Sequence, residues 1–450
     1  MFTNDNTECS TKISIISQNK YDDWLAKQPS FIKNWCISNN FKGENPKILK
    51  IPYPDGRLKE VVIGEGTDKD LSGVSQYASL NEGNYYIFSK FARSSDFDIQ
   101  KAWSWGNYKF QSLPKKNFLY VKNKDDIEFL NFYSETLNFS RNLINSPANE
   151  INPISFYKKI KNSNLFSYFK FNNYTPPEFK LNFPLTYAVG KSSNSQPHAI
   201  HLSNKKILKK DKPLIIIGKG VTFDTGGVNI KPGNSMRNMK KDMGGSAIAI
   251  SLFLLANYLL KKTKIVLIIP LAENSISSKA MRPGDIYSSY SGKKVEISHT
   301  DAEGRLLLAD AIELACKYNP KLILDFATLT GAARVALGED LPAYFTNDEG
   351  IANKIEKLNK NDTRCWRLPL YKSYKNKLHS DVANICNASL DGMAGAITAA
   401  LFLEEFLKPI NTPWVHVDTF AWSNGSFLST KGAALQGLDI MIEFLKNNYQ

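Results

Sequence analysis

The chain has 450 residues, of which 42% are hydrophobic and 22% charged, and its formal net charge is +14. This length predicts two or three domains, and this composition excludes wholesale disorder. The basic residues are spread along the chain, which favours solvated lysines over a dedicated nucleic-acid surface, although nucleic-acid binding stays open as an alternative.

The sequence favours a cytoplasmic protein without a membrane-spanning segment. Residues 1–12 are polar and lack the apolar run of a secretory signal. The apolar stretch Ser246–Leu260 is shorter than the roughly 20 residues needed to cross a bilayer, so we expect a buried helix there. The cysteines are scattered and form no CxxC pair, which is typical of a reduced compartment. They are Cys9, Cys36, Cys316, Cys365 and Cys386.

The N-terminal part, residues 1–130, predicts a smaller α/β domain. Two strand-like runs, Ile48–Tyr53 and Lys59–Ile63, flank Pro54-Asp55-Gly56, whose composition is typical of a hairpin turn. Further strand-like runs are Tyr85–Phe88 and Phe118–Val121. The pattern over Asp125–Leu143 predicts a helix, and the prolines that follow it make residues 131–150 a linker helix and domain boundary.

Residues 151–450 predict a larger catalytic domain in which strands and helices alternate. Such alternation indicates a mostly parallel sheet covered by helices, with ligands bound beyond the carboxyl ends of the strands. The predicted strands are Leu214–Ile217, Lys264–Ile269, Leu322–Phe326 and Trp414–Val417, and the predicted helices are Ser246–Leu260, residues 306–318 and Ala433–Leu445.

Four carboxylates in glycine-rich loops are candidate metal ligands. Asp301 and Glu303 are two residues apart, so an extended backbone can turn both to one side. Asp224 and Asp242 come from a separate pair of loops, as a site built between loops requires. A single aspartate beside glycines is more often a turn or helix-capping residue. The joint occurrence of all four favours a site for two divalent cations.

Two lysines accompany these carboxylates. Lys219 follows an apolar strand between two glycines, and a neutral lysine amine can bind a metal ion. Lys231 is better suited to stay protonated and face a developing oxyanion. The glycines around Lys219 match neither GxxxxGK[ST] nor a GxGxxG that opens a helix, so a phosphate-binding loop is disfavoured. The absence of a GxSxG segment likewise disfavours a serine nucleophile.

Three sequence blocks carry a family resemblance. They are GKGVTFDTGGVNIKP at residues 218–232, MKKDMGG at 239–245 and TDAEGRL at 300–306. These blocks resemble the signature segments of the leucine aminopeptidase family of dinuclear metallo-exopeptidases. Supporting matches are the segments 145–149, 282–285 and 327–332. The resemblance extends from about Asn142 to the C-terminus and leaves the first 130 residues uncovered.

The resemblance implies a metal-ligand set. Lys219 and Asp242 would bind the tighter metal ion and Asp301 the more exchangeable one, while Asp224 and Glu303 would bridge both. Such a shell, mostly oxygen, suits zinc, manganese or magnesium.

The resemblance also implies a reaction, in which water activated by two metal ions attacks the scissile carbonyl. Lys231 would stabilise the oxyanion, and Arg305 would hold a bicarbonate that serves as general base. The free α-amine of the substrate would bind a metal ion and Asp242. Residues at family positions of the first specificity pocket are Met239, Thr328 and Gly331.

Two departures from the family pattern concern the surroundings of this site. His299 stands where the family usually has asparagine, and residues 414–422 replace a common Asp-Ile-Ala-Gly pattern with bulkier side chains. We therefore expect an altered side-chain preference.

The expected function is that of a cytoplasmic, metal-dependent aminopeptidase that releases leucine and other N-terminal residues from peptides. The resemblance implies a homohexamer. Two alternatives on the same scaffold are DNA binding and a cysteinylglycine dipeptidase activity.

Overall fold

The computed structural model describes residues 1–4, 10–111, 116–360, 363–426, 428 and 430–450. They form a first unit, Met1–Phe139 with Ser423–Gly432, and a second unit, Ser140–Trp422 with Ala433–Gln450. Cys9 lies outside the described residues, and the other four cysteines are free thiols.

The first unit contains a six-stranded sheet in the order β1-β6-β5-β2-β4-β3. Its neighbouring strands are parallel except for β3 and β4, which form the predicted hairpin. Apolar side chains of the strands and helices, such as Ile13, Val61 and Trp103, pack into its core. The strands are β1 (Phe2–Thr3), β2 (Thr11–Ser17), β3 (Ile48–Pro52), β4 (Leu58–Gly66), β5 (Gly83–Phe91) and β6 (Asn117–Tyr120), and the helices are α1 (Tyr21–Ala26), α2 (Ser30–Ser38), α3 (Ser72–Leu80), α4 (Asp96–Gly106) and α5 (Lys124–Asn145).

The second unit is built on a larger mixed sheet. The helices described there are α6 (Pro153–Lys161), α7 (Pro176–Asn182), α8 (Pro184–Gly190), α9 (Gly233–Met236), α10 (Gly244–Leu259), α11 (Gly304–Cys316), α12 (Gly331–Leu337), α13 (Glu349–Asn359), α14 (Gly395–Glu404) and α15 (Leu438–Tyr449). The strands are β7 (Lys170–Phe171), β8 (His198–Ser203), β9 (Leu214–Gly218), β10 (Gly220–Asp224), β11 (Ile265–Asn274), β12 (Ile286–Ser288), β13 (Lys294–Glu296), β14 (Leu322–Ala327), β15 (Ala343–Thr346), β16 (Trp366–Arg367), β17 (Ile385–Cys386) and β18 (Trp414–Asp418). Two further strands, β19 (Trp422–Asn424) and β20 (Lys431–Ala433), pair with each other, and most of their residues belong to the first unit.

The main sheet has the order β16-β15-β18-β14-β9-β11-β8-β7, with β10 paired to β11. The four central strands β18, β14, β9 and β11 are parallel to one another. Strand β8 runs antiparallel to β11, and β15 runs antiparallel to β18. The central strands are buried along their whole length because helices cover both faces, which explains their continuous apolar sequences. The predicted mostly parallel sheet is confirmed.

Helix α10 is the buried core helix predicted from its apolar sequence. The stretch Gly233–Leu259 is long and apolar enough to cross a membrane, but 83% of its most apolar window is buried inside the structure. Gly245 lets the helix approach the sheet closely, because a Cβ atom there would lie 2.3 Å from the carbonyl oxygen of Phe326. The close approach places the start of α10 at the carboxyl ends of β9 and β14, because Gly218 adjoins Ser246 and Gly245 adjoins Phe326.

Two details of the predicted elements were wrong. The last helix begins at Leu438 and not at Ala433, because residues 431–433 form strand β20 and Gly437 adopts a left-handed conformation (φ 87°) just before the helix. The segment between Lys219 and Asp224 was expected to be a loop, yet it is strand β10, which pairs with an extended β11. The remaining predicted strands and helices lie where the sequence placed them.

Candidate functional site

The five predicted metal ligands converge at the carboxyl ends of the central strands. Lys219 directly follows β9, and Asp224 is the last residue of β10. Asp242 ends the short helical turn that begins at Met239. Asp301 lies in the loop before α11, and Glu303 is the residue that precedes that helix. One carboxylate oxygen each from Asp224, Asp242 and Glu303 lie within 4.8 Å of one another.

Lys219 lies at the buried end of this cluster. Its Nζ is 2.7 Å from Asp242 Oδ2 and 3.1 Å from Glu303 Oε1. It also donates a hydrogen bond of 2.8 Å to the carbonyl oxygen of Thr328. Burial by itself lowers the pKa of this amine, but the nearby carboxylates outweigh that effect and raise the pKa above its ordinary value.

Lys231 bridges the two carboxylates on the more open side. Its Nζ is 2.7 Å from Asp224 Oδ2 and 2.5 Å from Asp301 Oδ1. Burial lowers the pKa of Lys231, but the surrounding carboxylates raise it further than burial lowers it. The amine is therefore held as an ammonium donor beside Asp301.

The carboxylates repel one another in a desolvated setting. Burial raises the pKa of Asp301 to about 6, and the neighbouring Asp224 adds to the rise. Burial raises the pKa of Glu303 well above its ordinary value, and the negative charge of Asp224 raises it further. The positive charge of Lys219 lowers this pKa but does not cancel the rise. Glu303 Oε2 is buried and accepts no hydrogen bond in the part of the chain that the structure describes. A close group of mostly buried carboxylate oxygens is suited to divalent cations, because these cations prefer oxygen ligands.

Neutral donors fix the orientation of two of the carboxylates. Asn274, at the end of β11, donates from Nδ2 to Asp224 Oδ1 at 2.8 Å, and the amide of Gly226 donates to the same oxygen at 2.9 Å. Thr328 Oγ1 donates to Asp242 Oδ1 at 2.8 Å. Sequence reasoning missed Asn274, because the predicted strand ended at Ile269. A longer strand would have brought Asn274 to the same sheet edge as the predicted ligands.

Arg305, in the first turn of α11, is buried and faces the same space. Its Nη1 donates to the carbonyl oxygen of Asn387 at 2.7 Å, while Nε has no hydrogen-bond partner among the described residues. Burial lowers the pKa of this guanidinium to about 10. Asn387, which the sequence did not single out, thus positions the arginine.

His299 also lies beside the cluster. Its Nδ1 accepts a hydrogen bond of 3.2 Å from the backbone amide of Asp301. Burial lowers the pKa of His299, and the positive charge of Arg305 lowers it further. The histidine therefore supports the loop that carries Asp301.

A cavity of about 640 Å³ opens onto these groups. Its walls include every residue predicted to bind metal, substrate or bicarbonate: Lys219, Asp224, Lys231, Met239, Asp242, Asp301, Glu303, Arg305, Thr328 and Gly331. Phe420, from the segment that departs from the family pattern, also lines the cavity. Lys241 lies in the same wall, and burial lowers the pKa of its amine to about 8.

Family models match almost the whole chain. The model of the M17 aminopeptidase N-terminal domain matches residues 11–122, and that of the cytosol aminopeptidase family catalytic domain matches residues 138–441. The chain belongs to the cytosol aminopeptidase family. It is therefore a metal-dependent aminopeptidase, as the motif blocks predicted, and the family membership extends into the N-terminal part that the resemblance left uncovered.

Individual relatives agree with this membership. A probable cytosol aminopeptidase of Aquifex aeolicus is 33% identical over 90% of this chain and 88% of the relative. The crystal structure of the cytosol aminopeptidase from Coxiella burnetii matches with a TM-score of 0.90 and 32% identity, covering 100% of this chain and 99% of that one. The bottromycin maturation enzyme BotP, solved in complex with Mn, matches with a TM-score of 0.84 and 25% identity, covering 98% of this chain and 100% of that one.

These comparisons support the aminopeptidase prediction over its alternatives. The relatives reported above are named as cytosol aminopeptidases or as a bottromycin maturation enzyme. They give no support to DNA binding or to a cysteinylglycine dipeptidase activity.

Proposed function

We propose that the chain hydrolyses the first peptide bond of peptides with a free N-terminus by means of two divalent metal ions held in the carboxylate cluster. The observation that carries this proposal is the meeting of Asp224, Asp242 and Glu303 within 4.8 Å in a buried setting. Lys219 and Asp301 complete the ligand set from either side.

The ligands divide between two metal positions. Lys219, which would lose its proton when the cation binds, and Asp242, which contacts it, would bind one ion, and Asp301 would bind the other. Asp224 and Glu303 would reach both. The donor set suits zinc or manganese, and magnesium less well because Lys219 contributes nitrogen. Manganese in the BotP structure supports this choice.

The residues around the ions supply the remaining parts of the reaction. Bound divalent cations contribute Lewis acidity toward the scissile carbonyl and toward an attacking water. Lys231 presents an ammonium group that would stabilise negative charge developing on the carbonyl oxygen. Arg305, whose Nε has no hydrogen-bond partner among the described residues, would hold a bicarbonate ion that takes the proton from the water.

Substrate binding uses the cavity walls. Asp242 would accept a hydrogen bond from the α-amine of the substrate, which explains why only N-terminal residues are removed. Met239, Thr328 and Gly331 would contact the side chain of that residue, with Gly331 leaving open space around it. Apolar contacts of this kind separate side chains that differ by one methylene by only about 1–3 kcal/mol. Leucine would therefore be one of several substrates.

We also propose a cytoplasmic location and a homohexameric assembly. The location is supported by relatives that are named cytosol aminopeptidases. The assembly is supported by the family resemblance of the motif blocks.

The test is hydrolysis of leucine p-nitroanilide before and after removal of metal by a chelator. We expect activity to disappear with chelation and to return with manganese or zinc, at about two ions per chain by elemental analysis. Asp301→Asn should lower the activity strongly. Asp211→Asn, which removes an ion pair with Lys264 outside the cavity, should leave the activity intact. An enzyme without chelator-sensitive activity on any aminoacyl amide would overturn the proposal.

A further inference from the structure

One wall of the substrate cavity carries two cations and an aromatic ring. Lys241 Nζ lies 4.5 Å from the centre of the Phe420 ring, and Arg334 Cζ lies 4.7 Å from it. All three side chains line the cavity. We define these three residues as the cationic wall.

Lys241 is a buried cation without an anionic partner. Only 5% of its surface is exposed. Its side chain forms no ion pair and no hydrogen bond with any described residue, and contact with a ring offsets only part of the cost of burying a charge. A buried ammonium group normally lies beside a carboxylate.

Two buried carboxylates that line the same cavity, those of Asp242 and Asp418, are already engaged. Asp242, its neighbour in the chain, faces Lys219 with Oδ2 and accepts from Thr328 with Oδ1. Asp418 accepts hydrogen bonds from the backbone amides of Leu329 and Thr330, at 3.0 and 3.2 Å, and a further one from the Thr330 hydroxyl. Neither carboxylate lies within ion-pair distance of Lys241. A ligand that carries a carboxylate would supply the anion that Lys241 lacks among the described residues.

Arg334 places a second charge on the same wall. It lies one helical turn after Gly331 in α12, so both residues are on the same side of that helix. Its guanidinium also forms no ion pair and no side-chain hydrogen bond in the described parts of the chain. Lys241 lies two residues after Met239 in the short turn Met239–Lys241. The cationic wall is therefore continuous with the proposed pocket for the N-terminal side chain.

We propose that the cationic wall recognises a carboxylate on the side chain of the substrate's N-terminal residue, so that the enzyme removes N-terminal glutamate or aspartate in addition to leucine. This inference rests on the proposed function. It also gives Phe420 a role, because the ring contacts both cations and lines the same cavity.

The test compares kcat/KM for the p-nitroanilides of α-glutamate and leucine at pH 7 with the manganese-loaded enzyme. These substrates have no C-terminal carboxylate, so only the side chain can supply the anion. Lys241→Met should lower the glutamate-to-leucine ratio of kcat/KM about tenfold or more, because a charged hydrogen-bond partner is lost. Lys240→Met is the matched control, since Lys240 binds the carbonyl oxygen of Asn145 and lies outside the cavity wall. That control should leave the ratio unchanged.

A second pair of substrates separates the two possible sources of a carboxylate. If the wall instead binds a C-terminal carboxylate, Lys241→Met will lower the ratio of Leu-Gly to Leu-Gly-amide hydrolysis and leave the glutamate-to-leucine ratio unchanged. That result would overturn the inference. If Lys241→Met loses all activity, the glutamate-to-leucine ratio of kcat/KM is measured in two other variants. Lys241→Arg should keep the wild-type ratio, and Arg334→Met should lower it.

Failure of this inference is distinguishable from failure of the proposed function. Hydrolysis of the leucine substrate, with a glutamate-to-leucine ratio that no variant changes, would refute the cationic wall alone. Calorimetry gives a further measurement that does not depend on turnover, since free glutamate should bind the wild type more tightly than Lys241→Met, whereas leucine should bind both alike. Equal binding of glutamate to both proteins would contradict the inference.

Discussion

Gly304 lies directly against the end of the Lys219 side chain. A Cβ atom on Gly304 would be 2.4 Å from Lys219 Cε and 2.7 Å from Nζ. The first residue of α11 is thus glycine because the lysine amine occupies the space that any larger residue would need. The relationship ties the TDAEGRL block to the lysine 85 positions earlier in the chain.

Gly304→Ala should displace the Lys219 amine and leave the fold intact. Alanine is favourable in a helix, but the amine that must move is buried and paired with Asp242 and Glu303, so we expect a modest fall in the thermal midpoint. Misplacement of a ligand by about 1 Å can lower activity on the order of 100-fold. Leucine p-nitroanilide hydrolysis and metal content measure the effect.

Gly233→Ala is the matched control for this substitution. A Cβ atom on Gly233 would meet no atom within 4 Å. We expect wild-type activity and metal content. An active, fully metallated Gly304→Ala enzyme would show that the position of the Lys219 amine is not critical.

Much of the site could be predicted because its chemistry lies in contiguous blocks. Asp301, Glu303 and Arg305 fall within five residues, and the family resemblance gives them roles. The parallel sheet could be predicted as well, since buried strands such as β9 are continuous apolar runs. In both cases the information is local in the sequence.

The parts that sequence reasoning missed depend on contacts between distant segments. Asn274 holds Asp224 from 50 residues away, and Asn387 holds Arg305 from 82 residues away. Nothing local in the sequence distinguishes Lys241 from the other lysines of this basic chain, and only the fold places it against Phe420 in the cavity. No periodicity or local composition records such pairs.

Asn274→Ala should weaken metal binding without abolishing it. The substitution removes the donor to Asp224 Oδ1, so that a buried carboxylate loses part of its orientation. Residues that orient ligands in this way contribute about 10- to 100-fold in metal affinity or activity. Titration of the metal-free enzyme with manganese, followed by activity, measures the change. Asn204→Ala serves as the control, because Asn204 binds Thr263 at the opposite end of β11. Equal metal affinity in both variants would exclude an orienting role for Asn274.

Arg305→Met should lower kcat more than it raises KM. If Arg305 holds the bicarbonate that accepts a proton, its loss should cost on the order of 100-fold in kcat, the range of general-base contributions. Addition of bicarbonate should stimulate the wild type after degassing and leave the variant unchanged. Arg282→Met, which removes an exposed ion pair with Asp285, should respond to bicarbonate as the wild type does. Stimulation of Arg305→Met by bicarbonate would argue against this site.

His201 should make the second unit less stable in acid. The ring lies between two tyrosine hydroxyls, with Nδ1 2.5 Å from Tyr174 Oη and Nε2 2.9 Å from Tyr318 Oη. Burial lowers the pKa of His201 from 6.5 to about 4. Between these two values the unfolded chain binds a proton that the folded chain does not. The free energy of unfolding must therefore fall as the pH falls from about 6.5 toward 4.

His201→Gln should remove this dependence, whatever its effect on stability at neutral pH. Between pH 7 and pH 4 the wild type should lose about 3 kcal/mol more than the variant, since one pKa unit corresponds to about 1.4 kcal/mol. Urea titrations at several pH values give the difference, and other acid-titrating groups cancel because both proteins share them. His379→Gln is the control, since His379 is 73% exposed and should leave the slope unaltered. If His201→Gln and the wild type lose stability in parallel below pH 6.5, the pKa of His201 is the same in the folded and the unfolded chain. The folded chain would then hold a protonated ring between the two tyrosine hydroxyls.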